Sequence, residues 1–288
     1  MDCRIMSGNF VNTTLRGGLL RYGPSFSECY HRILARAAHM NKPLRLLLTI
    51  IVAGIWAVRA HATETQEVQK KLASGEYDAI VQSRTDALQS TRLSNGDRAA
   101  ALSERSGAYF ALGRYRQSLE DANAAIDLKP DLAEAYFNRA NASCLISDLT
   151  RATAESAVVD LTTAIRLKPD YEKAYRVRGN FCQFLGQIDK ERADYDSAIR
   201  VAPNSAAVYV ERGVFFSSHD EYAKAIADYD AAIRFDPSDA FVYLLRGHSY
   251  ESLGRREQAI ADYRKALSLN PDDAFSGEAL KNLGAAAH

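Results

Sequence analysis

The sequence predicts an all-α fold, a right-handed superhelical solenoid of stacked antiparallel helix pairs. Three observations carry that prediction. Pro130, Pro169, Pro203, Pro237 and Pro271 follow one another at 39, 34, 34 and 34 residues. A fixed period of that size marks one supersecondary unit copied along a chain. Within each unit, apolar and small residues recur every three or four positions in two separate blocks, the period of amphipathic helices. Helix-ending residues separate the two blocks and follow the second. One helix pair cannot bury both of its apolar faces, whereas stacked pairs share a continuous core.

From the amino end, residues 1–39 show no period and read as a start-site artefact or a disordered extension, with Met40 as the expected start. In residues 40–62, Lys42 and Arg45 precede 13 uncharged residues, Leu46 to Val58, and then Ala60-His61-Ala62. That is the anatomy of a secretory signal peptide, with a mature chain beginning near Thr63. The apolar run falls short of the roughly 20 residues that a membrane span needs. Cleavage is therefore the expectation, with an uncleaved anchor over residues 44–58 as the alternative. The expected location is exported, periplasmic or secreted, and contact with a membrane follows only if the segment stays attached.

Residues 63–98 form a divergent first copy. Gly75-Glu76-Tyr77-Asp78 and Ala87-Leu88 fit, but Glu67 and Val68 stand where Arg-Gly otherwise recurs, and no proline closes the copy. Regular copies follow at 99–132, 133–171 (with an insertion), 172–205, 206–239 and 240–273. The last is the clearest. Its first block places Val242/Tyr243, Arg246/Gly247 and Tyr250 at helical spacing, and its second Ala259/Ile260, Tyr263 and Ala266/Leu267. Gly254 separates them, because glycine readily ends a helix. Asn270-Pro271 closes the second, because the residue before proline leaves helical geometry. Small residues are expected at the crossing, with Gly247 facing Ala259 and Gly213 facing Ala225. Tyr195, Tyr229 and Tyr263 are expected in the core, given the area such rings bury. Residues 274–288, with Phe275, Ala279, Leu280 and Leu283, form a short capping helix, which such stacks need at their ends.

Two slots are filled in all five regular copies. Arg105, Arg139, Arg178, Arg212 and Arg246 share one on the first helix. Asp121, Asp160, Asp194, Asp228 and Asp262 share one on the second. Each Arg is expected to meet an Asp as a structural clasp, its stem covering apolar surface. A ladder of ligand-binding arginines is the competing expectation.

The pattern breaks twice. Five extra residues fall within 144–157, lengthening a helix or the turn between helices. Glu191-Arg192 stands where the next copy has Ala225-Ile226. A Glu in the small slot is expected to splay the pair or to find Arg178.

The chain carries 36 basic and 36 acidic residues. Eight basic and two acidic ones lie in 1–62, which leaves 28 and 34 beyond it, a net of −6. A net acidic body without a basic stripe argues against nucleic acid as a partner. Cys144 and Cys182 are expected as free thiols, buried or half-buried. No motif for nucleotide binding, nucleophilic catalysis or metal ligation occurs, so no enzyme activity, catalytic residue, metal or cofactor is expected.

The five copies resemble the tetratricopeptide repeat (TPR) over residues 99–273, with its aromatic, Leu/Arg-Gly, aromatic, Ala, aromatic, Ala and Pro positions in order. The resemblance implies a protein-binding scaffold or adaptor whose first helices line a concave groove holding an extended peptide or a partner helix. Mapped onto this sequence, the groove centre is Asn138, Asn141, Lys173, Arg176, Asn180 and Gln183. Phe110, Phe137, Val210, Phe241 and Leu244 flank it. Asn side chains can bind a peptide backbone from both sides, and Lys173 and Arg176 can receive a carboxylate. Some members of the family hold a chaperone's terminal carboxylate. Arg176 and Asn180 match that set's first pair, whereas Glu211, Phe241 and Leu245 break it. The alternative function is a structural subunit that self-associates or docks in an envelope assembly.

Overall fold

A computed structural model describes Lys71 and residues 74–146 and 149–286. The expectations for residues 1–39 and 40–62, and much of the first half of 63–98, lie outside them. Twelve helices and no strand occur among the described residues, and the architecture is an all-helical repeat solenoid. The helices are α1 (Glu76–Leu88), α2 (Asn95–Ala111), α3 (Tyr115–Leu128), α4 (Ala133–Ile146), α5 (Arg151–Leu167) and α6 (Glu172–Phe184). After them come α7 (Ile188–Val201), α8 (Ala206–Ser218), α9 (Tyr222–Phe235), α10 (Ala240–Ser252), α11 (Arg256–Leu269) and α12 (Ala274–Asn282). Each helix packs on its neighbours in the chain, and the first helices of successive copies also touch, α2 with α4 and α8 with α10. No described helix is long and apolar enough to cross a membrane.

Local chemistry sets the boundaries. Gly113, Gly186 and Gly254 adopt φ near +70° in the turns between paired helices, a region that costs glycine little. Asp220 takes the same turn position at φ 61°, the only non-glycine residue at positive φ among the described residues. The second helices end in extended backbone before the prolines, as Asn270 does at φ −133°. Asp273 caps α12, accepting hydrogen bonds from the backbone N–H of Phe275 and Ser276. Leu280 of α12 is buried against Ala259 and Tyr263, so the last pair is covered. The extra residues in 144–157 mainly lengthen the second helix. The second helix α5 has 17 residues, against 14 for α7, α9 and α11. Thr150 and Thr153 form a reciprocal capping box at its start.

The crossing of each pair differs from the expected small-on-small contact. A Cβ added at Gly213 would lie 2.5 Å from Tyr229, at Gly247 2.9 Å from Tyr263, and at Gly179 3.0 Å from Tyr195. The glycine thus makes room for a tyrosine ring, while the alanines (Ala225, Ala259) are buried beside it. The five copies trade volume between these two slots: Ser106 with Ala122, Ala140 with Leu161, then Gly179, Gly213 and Gly247 each with a tyrosine. In the first regular copy, where Ala122 takes the place of the ring, the small slots do meet, and Ser106 Oγ donates to the Ser118 carbonyl at 2.7 Å. Close packing favours such a trade, because a large side chain in one slot leaves room only for a small one opposite.

Candidate functional site

The arginine row pairs throughout. Nε and Nη2 of each Arg donate to the two oxygens of one Asp. The distances are 2.7 and 2.8 Å for Arg105–Asp121, 2.8 and 2.6 Å for Arg139–Asp160, and 2.9 and 2.6 Å for Arg178–Asp194. They are 2.9 and 2.7 Å for Arg212–Asp228, and 2.7 and 2.7 Å for Arg246–Asp262. Bidentate forks of this kind are the strong ion-pair geometry.

A further column was missed in the sequence. The remaining Nη1 reaches back to the second helix of the preceding copy, 20 residues upstream for Arg105 and 16 for the other four. It meets Thr85, Asn123, Thr162, Asp196 and Asp230 in turn, at 3.0, 3.4, 3.0, 2.8 and 2.5 Å. Each arginine therefore ties three helices of two copies. The period was visible, but three residue types fill this column, so no single identity announced it.

On the face formed by the first helices, most expected groove groups are already engaged. Asn138 Nδ2 donates to the Ser103 carbonyl at 2.9 Å, linking α4 to α2, and Asn141 Nδ2 donates to the Phe137 carbonyl at 2.9 Å. Arg176 forks onto Glu211 of α8 at 2.9 and 2.9 Å and reaches Glu172 at 2.8 Å. It is only 2% exposed. Burial alone would weaken its charge, but Glu211 and then Glu172 outweigh it and hold the guanidinium pKa above its ordinary value. Asn180 accepts a hydrogen bond from the Tyr195 hydroxyl at 2.7 Å and is buried. The expectation that Arg176 receives a partner's carboxylate is corrected accordingly, because two carboxylates of the chain itself already hold it. Glu211, which breaks the chaperone-clamp pattern, is the residue that occupies Arg176. Lys173 is exposed and Gln183 half-exposed on the same helix. Phe184, 49% exposed, ends it.

Glu191 is corrected as well. It does not find Arg178, whose fork belongs to Asp194. It is buried at 2% exposure, its Oε1 has no hydrogen-bond partner, and burial pushes its pKa up to about 8. Gln187 Oε1, one turn earlier, is also buried without a partner. Cys144 and Cys182 are free and buried. Among the described residues no group of three His, Cys, Asp or Glu side chains is placed to hold a metal.

Comparison with known proteins agrees with this architecture. A family model for the tetratricopeptide repeat matches residues 240–273, and a TPR repeat model matches residues 108–143 and 215–254. The likeness to the tetratricopeptide repeat thus extends over residues 108–143 and 215–273. Among solved structures it is similar to YrrB, described as a TPR protein with an unusual peptide-binding site. The identity is 17%, the match covers 70% of this chain and 99% of that one, and the TM-score is 0.54. It is also similar to MamA, residues 41 to the end, from Desulfovibrio magneticus RS-1 at 16% identity, with 62% and 98% covered and a TM-score of 0.53. A second MamA structure matches at 20% identity, with 62% and 95% covered and a TM-score of 0.52. At these identities the likeness concerns the fold. No curated protein matches the chain in sequence.

Proposed function

We propose that the protein is a non-enzymatic scaffold or adaptor that binds a peptide or helix of a partner protein along the face of its first helices. The observation that carries this is the stitching of that face. Asn138 joins α4 to α2, Arg176 and Glu211 join α6 to α8, and α8 packs on α10. A surface fixed before binding loses little freedom when a partner arrives. Half-exposed Phe110, Phe137, Val210 and Leu244 offer apolar contact, and Lys173, Asn141 and Gln183 offer polar groups at its centre. The peptide-binding site described for YrrB supports the same use of the fold.

Photo-crosslinking residues placed at 173 and 183, and as controls at 234 and 265 on the second helices, test this in the native compartment. Adducts from the first pair and none from the second are expected. Adducts confined to the controls would overturn the assignment. Adducts consisting of the chain itself, with a doubled mass in light scattering, would replace it by self-association.

The same proposal places the protein outside the cytoplasm, with residues 40–62 removed. Amino-terminal sequencing of the cellular protein is expected to begin near Thr63. A start upstream of Leu46 would mean that the segment is retained.

A further inference from the structure

Three of the five arginines in the row have an aromatic companion on the first helix, four residues later: Tyr109 after Arg105, Phe216 after Arg212 and Tyr250 after Arg246. The guanidinium carbon lies 5.6, 5.7 and 5.8 Å from these ring centroids. Phe216 shows what holds such a ring. It is 6% exposed, with Arg212 beside it, Arg192 of α7 at 5.9 Å and Lys224 of α9 at 5.3 Å. One period upstream, the corresponding positions hold Arg178, Val158 and Lys190, and the position of the ring holds Cys182. Two of the three cations are kept, Val158 stands in the place of Arg192, and the ring is missing. What remains is a cleft of about 260 Å³, lined by Val158, Thr162, Arg178, Cys182, Lys190 and Asp194.

We propose that this cleft between α5, α6 and α7 is a docking site for an aromatic side chain of a partner protein, a Phe or Tyr ring seated where Phe216 sits one copy later. The lining has the chemistry for it. Burial, and then Asp194, push the Cys182 thiol up to about 11, so the floor is neutral and polarizable at physiological pH. Val158 supplies an apolar wall. Arg178, fixed by its fork to Asp194, and Lys190 place cations where a ring face would lie. Val159, next on α5, is 65% exposed, the most exposed large apolar side chain among the described residues. The cleft opens between the second helices of two successive copies, so it is a separate site from the first-helix face and stands or falls independently of it.

The probe is p-cresol, the tyrosine side chain on its own, titrated into the chain while amide NMR signals of residues 158–194 are followed. A saturable shift with a Kd on the order of 1 mM is expected, as befits a fragment of this size. Cys182→Phe, which copies the next repeat, is expected to abolish the response, whereas Cys182→Ala, which widens the cleft, keeps it. The saturated analogue 4-methylcyclohexanol is expected to bind several-fold more weakly, because it lacks the ring face that the cations need. No saturable shift with p-cresol, or an undiminished one in folded Cys182→Phe, overturns the proposal. Should that variant fail to fold, equal binding of the saturated analogue overturns it instead.

Discussion

Copies 172–205 and 206–239 have the same length and the same arginine clasp, yet they solve their interiors differently. In the later copy Ala225 fills the small slot, Phe216 fills the aromatic slot and Tyr229 lies over Gly213. In the earlier copy Glu191 is buried in the small slot, Cys182 leaves a cleft, and Arg176 is held in a buried ion pair that crosses to the later copy. The clasp therefore sets the architecture, and what lies around it is free to vary. Substitutions that separate the shared clasp from the variable interior test this contrast.

The largest effect is expected at the shared element. The Arg212 carboxylate partner Asp228 has a side chain only 6% exposed, and the partner of Arg178, Asp194, 5%. Removing one member of a buried pair strands the other charge, at a cost of about 3–5 kcal/mol. Arg178→Met and Arg212→Met are both expected to lower the urea midpoint strongly and by similar amounts. A loss below about 1 kcal/mol, the level of an exposed pair, would show that the clasp does not hold the copies together.

Next come the two glycines. At position 213 an added methyl would meet Tyr229 at 2.5 Å, whereas at 179 it would meet Tyr195 at 3.0 Å. Overpacking of a tight core costs about 1–3 kcal/mol. Gly213→Ala is expected near the upper end and Gly179→Ala near the lower, measured by thermal unfolding. Equal losses would mean that the ring of the regular copy yields as easily as that of the irregular one.

Glu191 moves stability the other way. Its pKa of about 8 in the folded protein lies far above the ordinary glutamate value of about 4.3 expected in the unfolded chain. Below about pH 4 both states are protonated and the group is neutral in its effect. As pH rises from there to 8, the unfolded chain releases a proton that the folded one retains, so the folded state is progressively disfavoured, and above 8 the penalty is constant. Glu191→Ala, the residue found at 225 and 259, is expected to stabilise by about 1–3 kcal/mol at pH 8 and by less at pH 5. Stabilisation that is the same at both pH values would show that Glu191 is charged in the folded protein.

How much of this contrast the sequence disclosed depends on the length scale of each feature. The period, the helix pairs, the capping helix and the Arg–Asp partners are set by spacing along one helix or between adjacent helices, and spacing is legible in a string. The tyrosine over each glycine was missed because Ala259 and Tyr263 share one helical face, so periodicity alone does not say which fills the gap. The loss of Arg176 and Asn180 as groove groups was illegible for a different reason. Arg176 is neutralised by Glu211, 35 residues away on another first helix, and only the superhelical stacking brings the two together. The cleft at Cys182 is an absence, visible only against the filled slot of a neighbouring copy.

The smallest effect is expected at the turn, where the otherwise regular copy is the strained one. Copy 172–205 turns on Gly186 at φ 69°, but copy 206–239 turns on Asp220 at φ 61°. A side chain in this left-handed region costs about 1–2 kcal/mol, less for Asp than for most residues. The Asp220 carboxylate recovers part of that by accepting a hydrogen bond from the Tyr222 hydroxyl at 2.6 Å, at an exposed site. Asp220→Gly removes strain and contact together, so a gain of at most about 0.5 kcal/mol is expected. Asp220→Ala keeps the strain and loses the contact, and is expected to be the least stable of the three by about 0.5–1 kcal/mol. Thermal unfolding in the order Gly, Asp, Ala would show that the contact offsets the backbone strain. An alanine variant as stable as the parent would show that the turn relaxes out of the left-handed region instead.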